Sequence, residues 1–493
     1  MPPFTSLFAA AVVATFVAPN VASMGGLPSA SPKAVGMSAQ RLAAIDRVIK
    51  RGMKAGGYPG AAVIIGRKGS AVVRQGYGRL GWTTNYDLVD PDRTIYDLAS
   101  LTKVVGTTTA IMLLFDDGKI GLDDPVSKFL PEFSGGAKDR VTVRMLLEHR
   151  SGLPAGRDLW RIANTPTDAR AAVLTTELAC APGDCFIYSD LGADVLGWIA
   201  ESASGQSIDE FVRARVFEPL GMTDTYYRPD PSLVRRIAPT EVTPPRGYPL
   251  RGEVHDENAF ALGGIAGHAG MFSTAGNLAV FAQMMLNNGE YDGVRLIADS
   301  TVRLFTHRAA GTRALGWDTC LTEHGGCGQF LSERSFGHTG YTGTSLWIDP
   351  DRSLFVILLT NRVHAARARR PALVIADVRA DLADAASVSV IDDPLNLVTH
   401  TVAYRADTEY RKWNRPIRKA RHGRGIRRSG KAKSALAGKA TRGASAKSAP
   451  AGKAARRASA KSAGTSKASA ARSGKAKAPA KHKPAAHKKK PSH

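Results

Sequence analysis

Apolar residues recur at helical spacing between Ser38 and Gly56, where Leu42, Ile45, Val48, Ile49 and Met53 share one face behind Ser38, a candidate N-cap. The period then changes. Ala61 to Gly66 and Ala71 to Arg74 are short β-rich runs around Arg67-Lys68-Gly69-Ser70, which predicts a β-hairpin. From about residue 100 to 220 the pattern is helical, broken at Pro and Gly. Its clearer helices are Asp190 to Ala200, with Leu191, Val195, Leu196 and Ile199, and Ile208 to Val216. Strands return at Thr344 to Ile348 and Leu354 to Leu359, separated by the turn signal Asp349-Pro350-Asp351-Arg352, and a last helix is expected near Pro371 to Ala386. Strands at both ends with helices between them predict an α+β fold. An antiparallel sheet is flanked by helices, and a helical subdomain is inserted between its halves.

Charge changes this picture only at the C-terminus. Of 67 Lys and Arg and 43 Asp and Glu, 28 and 2 lie from residue 401 onward, leaving residues 1–400 with 39 against 41. The body is near neutral, and the basic excess belongs to the tail. After about residue 411 the chain turns to Lys, Ala, Ser, Pro and Gly, which cannot bury a core and is expected to be disordered. At the other end the first 32 residues carry no charged side chain. Phe4 to Ala18 is apolar, and Val21-Ala22-Ser23 offers small residues for a signal peptidase. The run is too short to span a membrane and fits an export signal; a disordered or buried N-terminus is the other reading. No other segment could cross a bilayer. The expected division is a signal peptide at 1–23, a Gly/Pro/Ser leader at 24–36, one folded domain at 37–395 and a basic tail at 396–493.

The four cysteines fall in two close pairs, Cys180/Cys185 and Cys320/Cys327. In an exported chain such spacings favour disulfides, and Pro182-Gly183 can turn the chain back between the first two. Three connectivities are possible, of which the two local bridges are favoured. A metal site finds no CxxC spacing or His cluster to support it, and no cofactor is expected.

Three segments carry candidate chemistry. In Ser100-Leu101-Thr102-Lys103 one helical turn separates Ser and Lys, so the amine can reach the hydroxyl. A serine needs such a neighbour, because a free hydroxyl is a poor nucleophile at neutral pH. An ordinary N-cap serine beside a solvated lysine would give the same spacing. Tyr188-Ser189-Asp190 stands just before a helix, where a phenol could shuttle a proton; a core Tyr with a bonded hydroxyl is the plainer reading. Gly337-His338-Thr339-Gly340-Tyr341-Thr342-Gly343 lies at the mouth of a strand, where glycine lets a substrate backbone approach; a Gly-rich turn is the plainer reading.

Together these segments resemble the SxxK, YxN and KTG signature of serine β-lactamases and DD-peptidases. The order is the same, and the 150 residues between Tyr188 and His338 look like class C. The resemblance runs from about Pro32 to Ala386 and includes Tyr58 to Ala62, Met145 to Pro154 and Pro219 to Thr225. Val254 to Ala259 and Gly267 to Ser273 are similar to a periplasmic esterase/DD-carboxypeptidase branch. The resemblance implies a β-lactamase/transpeptidase-like fold, with Ser100 as the acylated nucleophile and Lys103 and Tyr188 as its proton-transfer partners. The backbone amides of Ser100 and Tyr341 would form the oxyanion hole. Asp190, His338, Thr339 and Gly340 would contact substrate, as would Asn361 and Arg362, which follow the last strand where relatives hold carboxylates. His255 and His268 read as braces for loops near the pocket.

Two positions depart from the signature. Asp190 stands where the family has Asn, and His338 where it has Lys. An ionised Asp cannot donate to a substrate carbonyl, and a His is mostly neutral at pH 7. Both changes weaken the fit to penicillins and to an acyl-D-Ala-D-Ala tail. The expectation is an exported acyl-enzyme hydrolase for an ester, a D-amino-acid amide or a peptidoglycan-like fragment. The alternatives are a class C-like β-lactamase, or an inactive hydrolase body that binds anionic surfaces through its tail. The tail itself is expected to bind polyanions such as wall polymer or lipopolysaccharide, and nucleic acid only in a cytoplasmic protein.

Overall fold

The strand Gly60–Arg67 turns through Lys68 and Gly69, both at positive φ (48° and 81°), into the antiparallel strand Ser70–Gly78. Two consecutive left-handed residues match a two-residue turn to the twist of a hairpin, which is why a glycine sits there. This is a computed structural model, and it describes residues 26–308, 311, 313–320 and 326–415. The expected signal peptide and the residues beyond 415 lie outside that range.

The hairpin forms one side of a six-stranded antiparallel sheet. Its order is Ser70–Gly78, Gly60–Arg67, Leu354–Thr360, Ser345–Asp349, Phe336–Thr339 and Asp318–Thr319. Register places Ile64 opposite Ile357 and Leu346 opposite His338. The strands Gly60–Arg67 and Leu354–Thr360 are buried along their whole length, so their sequences run largely apolar without alternating. Ala62, Ile64, Ile357 and Leu359 face one core, closed by the helix Ala275–Leu286 and the inserted helices. Ala61, Val63, Ile65, Val356 and Leu358 face a second core, under the helices Ala44–Lys54 and Pro371–Ser387. The sheet thus joins both ends of the domain around an inserted helical region, as the pattern predicts. No helix among the described residues is long and apolar enough to cross a membrane.

Some local outcomes differ from expectation. The helix starting at Ile208 is α-helical only to Val212 and continues as a π-helical turn, Arg213–Phe217. The edge strand Asp318–Thr319 is too short to show a period. Cys180 is bridged to Cys185, with Cα atoms 6.5 Å apart, and Cys320 to Cys327, at 5.9 Å.

The domain boundary expected at 395 needs correction, because packed structure continues to Trp413. Leu397, Tyr404, Ala406 and Trp413 are buried. Arg405 pairs with Asp381 and Asp384, and the Trp413 indole N–H donates to Asp377 Oδ2 at 2.6 Å, all on the helix Pro371–Ser387. Scattered aromatic residues in a basic stretch had given no period to read. Truncation after residue 415 should therefore leave the melting temperature within a degree or two. Truncation after 395 should cost about 3–5 kcal/mol through loss of Trp413 alone. Equal melting temperatures for the two truncations would disprove this packing.

Candidate active site

Ser100 stands at a turn that the rest of the fold holds rigid. The short strand Tyr96–Asp97 pairs with Met271–Ser273, and Ala99 then adopts φ 47°, a left-handed conformation that costs an alanine energy. Asp97 secures that turn. Its buried carboxylate accepts from Ala99 N at 2.8 Å and from His255 N at 2.6 Å. From the turn between the strands Phe336–Thr339 and Ser345–Asp349, Thr342 Oγ1 donates to Asp97 O at 2.8 Å and Thr344 Oγ1 to Leu98 O at 2.9 Å. The strand mouth is thereby tied to the nucleophile turn. Gly340 has to be glycine for this approach, since a Cβ there would lie 2.4 Å from Leu98 O.

Lys103 points back at Ser100. Its Nζ is 3.1 Å from Ser100 Oγ, 3.0 Å from His268 O and 2.6 Å from Asp190 Oδ1. Burial alone would push the ammonium toward neutrality. The oxygens of Tyr188 and Asp190 outweigh that and raise the amine above its ordinary range. Lys103 is therefore a fixed cation here.

Asp190 and Asp194 lie one turn apart on the helix Asp190–Ser204 and share a face. Asp194 Oδ1 meets His268 Nδ1 at 2.7 Å, and Asp256 Oδ1 meets the same ring at Nε2, 2.9 Å away. Burial opposes a charged ring, but the two carboxylates raise His268 well above the usual histidine value. This imidazolium braces the carbonyl that receives Lys103. Its contribution to stability is complete below about pH 6.5, the unfolded value, and is lost as pH rises through the raised folded value. His268→Gln should therefore lower the melting temperature at neutral pH and flatten its decline on the alkaline side. An unchanged alkaline slope in melting curves from pH 5 to 10 would remove this role.

The Tyr188 ring is half-buried between two histidines. His149 lies 4.6 Å from it and His338 5.9 Å, measured between ring centroids. His149 accepts from Ser189 N at 3.1 Å, which sets the backbone around the phenol. Burial, with help from Arg313, Lys103 and His338, holds His149 well below its usual value. His338 is buried, and burial pushes it down to about 4, which keeps it neutral. Its Nδ1 lies 2.8 Å from Thr339 O.

The other expected contact residues divide. Tyr341 is 63% exposed at the mouth, stacked on His255 at 5.6 Å and under the Arg362 guanidinium at 4.5 Å. Both side chains line a cleft of about 590 Å³ with Glu241 and His364. Asn361 needs correction. It is buried, with its amide donating to Leu80 O and Pro239 O at 2.8 Å each, so it clamps the fold and has no N–H left for a substrate. Among the described residues no cluster of His, Cys, Asp or Glu is arranged to hold a metal ion.

The site also contains residues that carried no assignment in the sequence. Asp194 had a readable signal, four positions from Asp190, and Asp256 lies in a segment of the resemblance. Arg313, whose guanidinium is 5.8 Å from the Tyr188 ring, belongs to no motif.

Residues 45–380 match the family model described as Beta-lactamase. A protein of Escherichia coli K12 with the provisional name D-alanyl-D-alanine carboxypeptidase is 33% identical over 387 residues, covering 69% of this chain and 86% of its own. A penicillin-binding protein homologue from Caulobacter crescentus has the same fold, with TM-score 0.56 and 23% identity over 72% of this chain and 99% of its own. A class C beta-lactamase has it too, with TM-score 0.56 and 21% identity over 69% and 96%. With the serine–lysine pair, the antiparallel sheet and this match over most of the domain in agreement, the chain belongs to the beta-lactamase family of serine hydrolases.

Proposed function

We propose that this protein is an exported hydrolase that forms an acyl-enzyme on Ser100 and acts on an ester or a D-amino-acid amide, as an esterase or DD-carboxypeptidase does. The observation that carries the reading is the 3.1 Å contact between Lys103 Nζ and Ser100 Oγ, made by an amine that Asp190 holds at 2.6 Å. A lysine kept protonated cannot take the serine proton, so Tyr188 is the base and Lys103 the fixed charge beside it, with Nζ 5.1 Å from the ring centroid. Ser100 Oγ attacks the substrate carbonyl carbon as its proton passes to the Tyr188 oxygen. The Ser100 and Tyr341 amides receive the oxyanion. Tyr188 returns the proton to the leaving amine or alkoxide, and water then repeats the sequence to free Ser100. Thr339 and Gly340 offer the strand edge to the substrate backbone, while Arg362 and Tyr341 line the leaving-group side.

The provisional name of the Escherichia coli relative supports an amide substrate of the D-alanyl type. The apolar N-terminal run and the paired cysteines support export. The basic residues beyond 415 would hold the enzyme to anionic wall polymer. Purified protein assayed with p-nitrophenyl acetate, D-alanine p-nitroanilide and a chromogenic cephalosporin tests the reading. The ester and the anilide are expected to turn over at least tenfold faster than the cephalosporin. A cephalosporin as best substrate would make this a β-lactamase. No turnover at all, and no labelling by a fluorophosphonate, would leave only a binding protein.

A further inference from the structure

His338 leaves the third motif without a permanent charge, yet the Tyr188 ring has two cations beside it. One is Lys103, with Nζ 5.1 Å from the ring centroid; the other is Arg313, with its guanidinium carbon at 5.8 Å. Arg313 is 4% exposed and fixed in direction. One terminal nitrogen pairs with Asp318 Oδ1 and the other donates to Gly316 O at 3.1 Å. Asp318 in turn lies beside His338, with Oδ2 3.7 Å from His338 Nε2. The Nδ1 hydrogen of His338 goes to the Thr339 carbonyl, so its Nε2 presents a lone pair and no charge. Of the Arg313–Asp318 pair, the guanidinium acts on His149 beside the phenol, while the carboxylate dominates at His338.

We propose that Arg313 is a positioning residue acting through Tyr188, supplying from residue 313 the fixed positive charge that the third motif lacks at residue 338. The groups facing Tyr188 are Lys103 from the nucleophile helix, Asp190 from its own segment, His149 and His338 on its two flanks, and Arg313 backed by Asp318. Lys103 is engaged by Asp190, Arg313 by Asp318, and both histidines are neutral, so Arg313 is the second fixed cation beside the phenol after Lys103. Electrostatics at such separations in a partly buried site move a titration by roughly one to two pH units.

The inference rests on Tyr188 as base, and one set of measurements separates the two. The kcat/KM of a neutral p-nitrophenyl ester is followed from pH 5 to 10, so that no substrate carboxylate is involved. Arg313→Gln should move the acidic limb up by about one unit with KM little changed. Arg313→Lys should leave the limb in place. Adding His338→Lys to Arg313→Gln should return it, a rescue that a merely structural role would not give. Asp318→Asn, which removes the opposing charge, should move the limb down and provides the test if Arg313→Gln does not fold. An unmoved limb in a folded Arg313→Gln or Asp318→Asn variant overturns the proposal. Tyr188→Phe with wild-type rate and limb would instead overturn Tyr188 as the base.

Discussion

Ser100→Ala is expected to eliminate covalent labelling by a fluorophosphonate and to lower ester turnover by roughly 10³-fold or more, with the fold intact. The hydroxyl becomes the acyl oxygen, and no neighbour can replace it. Removing it should cost little stability. Ser100 is half-buried, its side chain contacts Lys103, and the turn is held by Asp97, Thr342 and Thr344 instead. Lys103 keeps Asp190 and the His268 carbonyl as partners. Mass spectrometry of the labelled protein and a melting curve check both halves. Adduct on another serine in the variant, at the wild-type rate, would remove Ser100 from the centre of the mechanism.

The sequence made the reacting groups visible because each sits in a short motif. Ser100 and Lys103 are one helical turn apart, and the hairpin around Lys68-Gly69 and the late strands have their own local period. What it hid are contacts between distant positions. Asn361 looked like a substrate ligand because it follows the last strand. Its partners Leu80 and Pro239 are 281 and 122 residues away, and no local pattern encodes them. His338 was readable as a missing charge, but the carboxylate that faces it comes from Asp318, on an edge strand of two residues. Asp194, Asp256 and His268 form a buried ionic brace from three separate segments. The signature marked the chemistry, and tertiary packing decided the charge states of Lys103 and His338 within it.

The largest change of specificity should come from Asp190→Asn combined with His338→Lys. In the native site the Asp190 carboxylate sits 2.6 Å from Lys103 and holds that amine as an ammonium. The same carboxylate can attract a substrate amine but cannot donate to a substrate amide carbonyl. Neutral, buried His338 offers a carboxylate almost no attraction. Together these features favour esters, or substrates with a free amine near the scissile bond, over β-lactams. Asparagine at 190 restores an N–H donor and weakens the hold on Lys103, letting the amine lose its proton more readily. Lysine at 338 adds a charge beside Asp318, which lies close enough to pair with it. Each single substitution should raise kcat/KM for a chromogenic cephalosporin several-fold, and the pair at least tenfold. The preference for amine-bearing substrates should fall with Asp190→Asn alone. Asp190→Asn should also lower the melting temperature, since Lys103 is 3% exposed and loses its carboxylate partner. Efficient cephalosporin hydrolysis by the native enzyme, undiminished when either residue is changed, would mean that neither position sets the specificity.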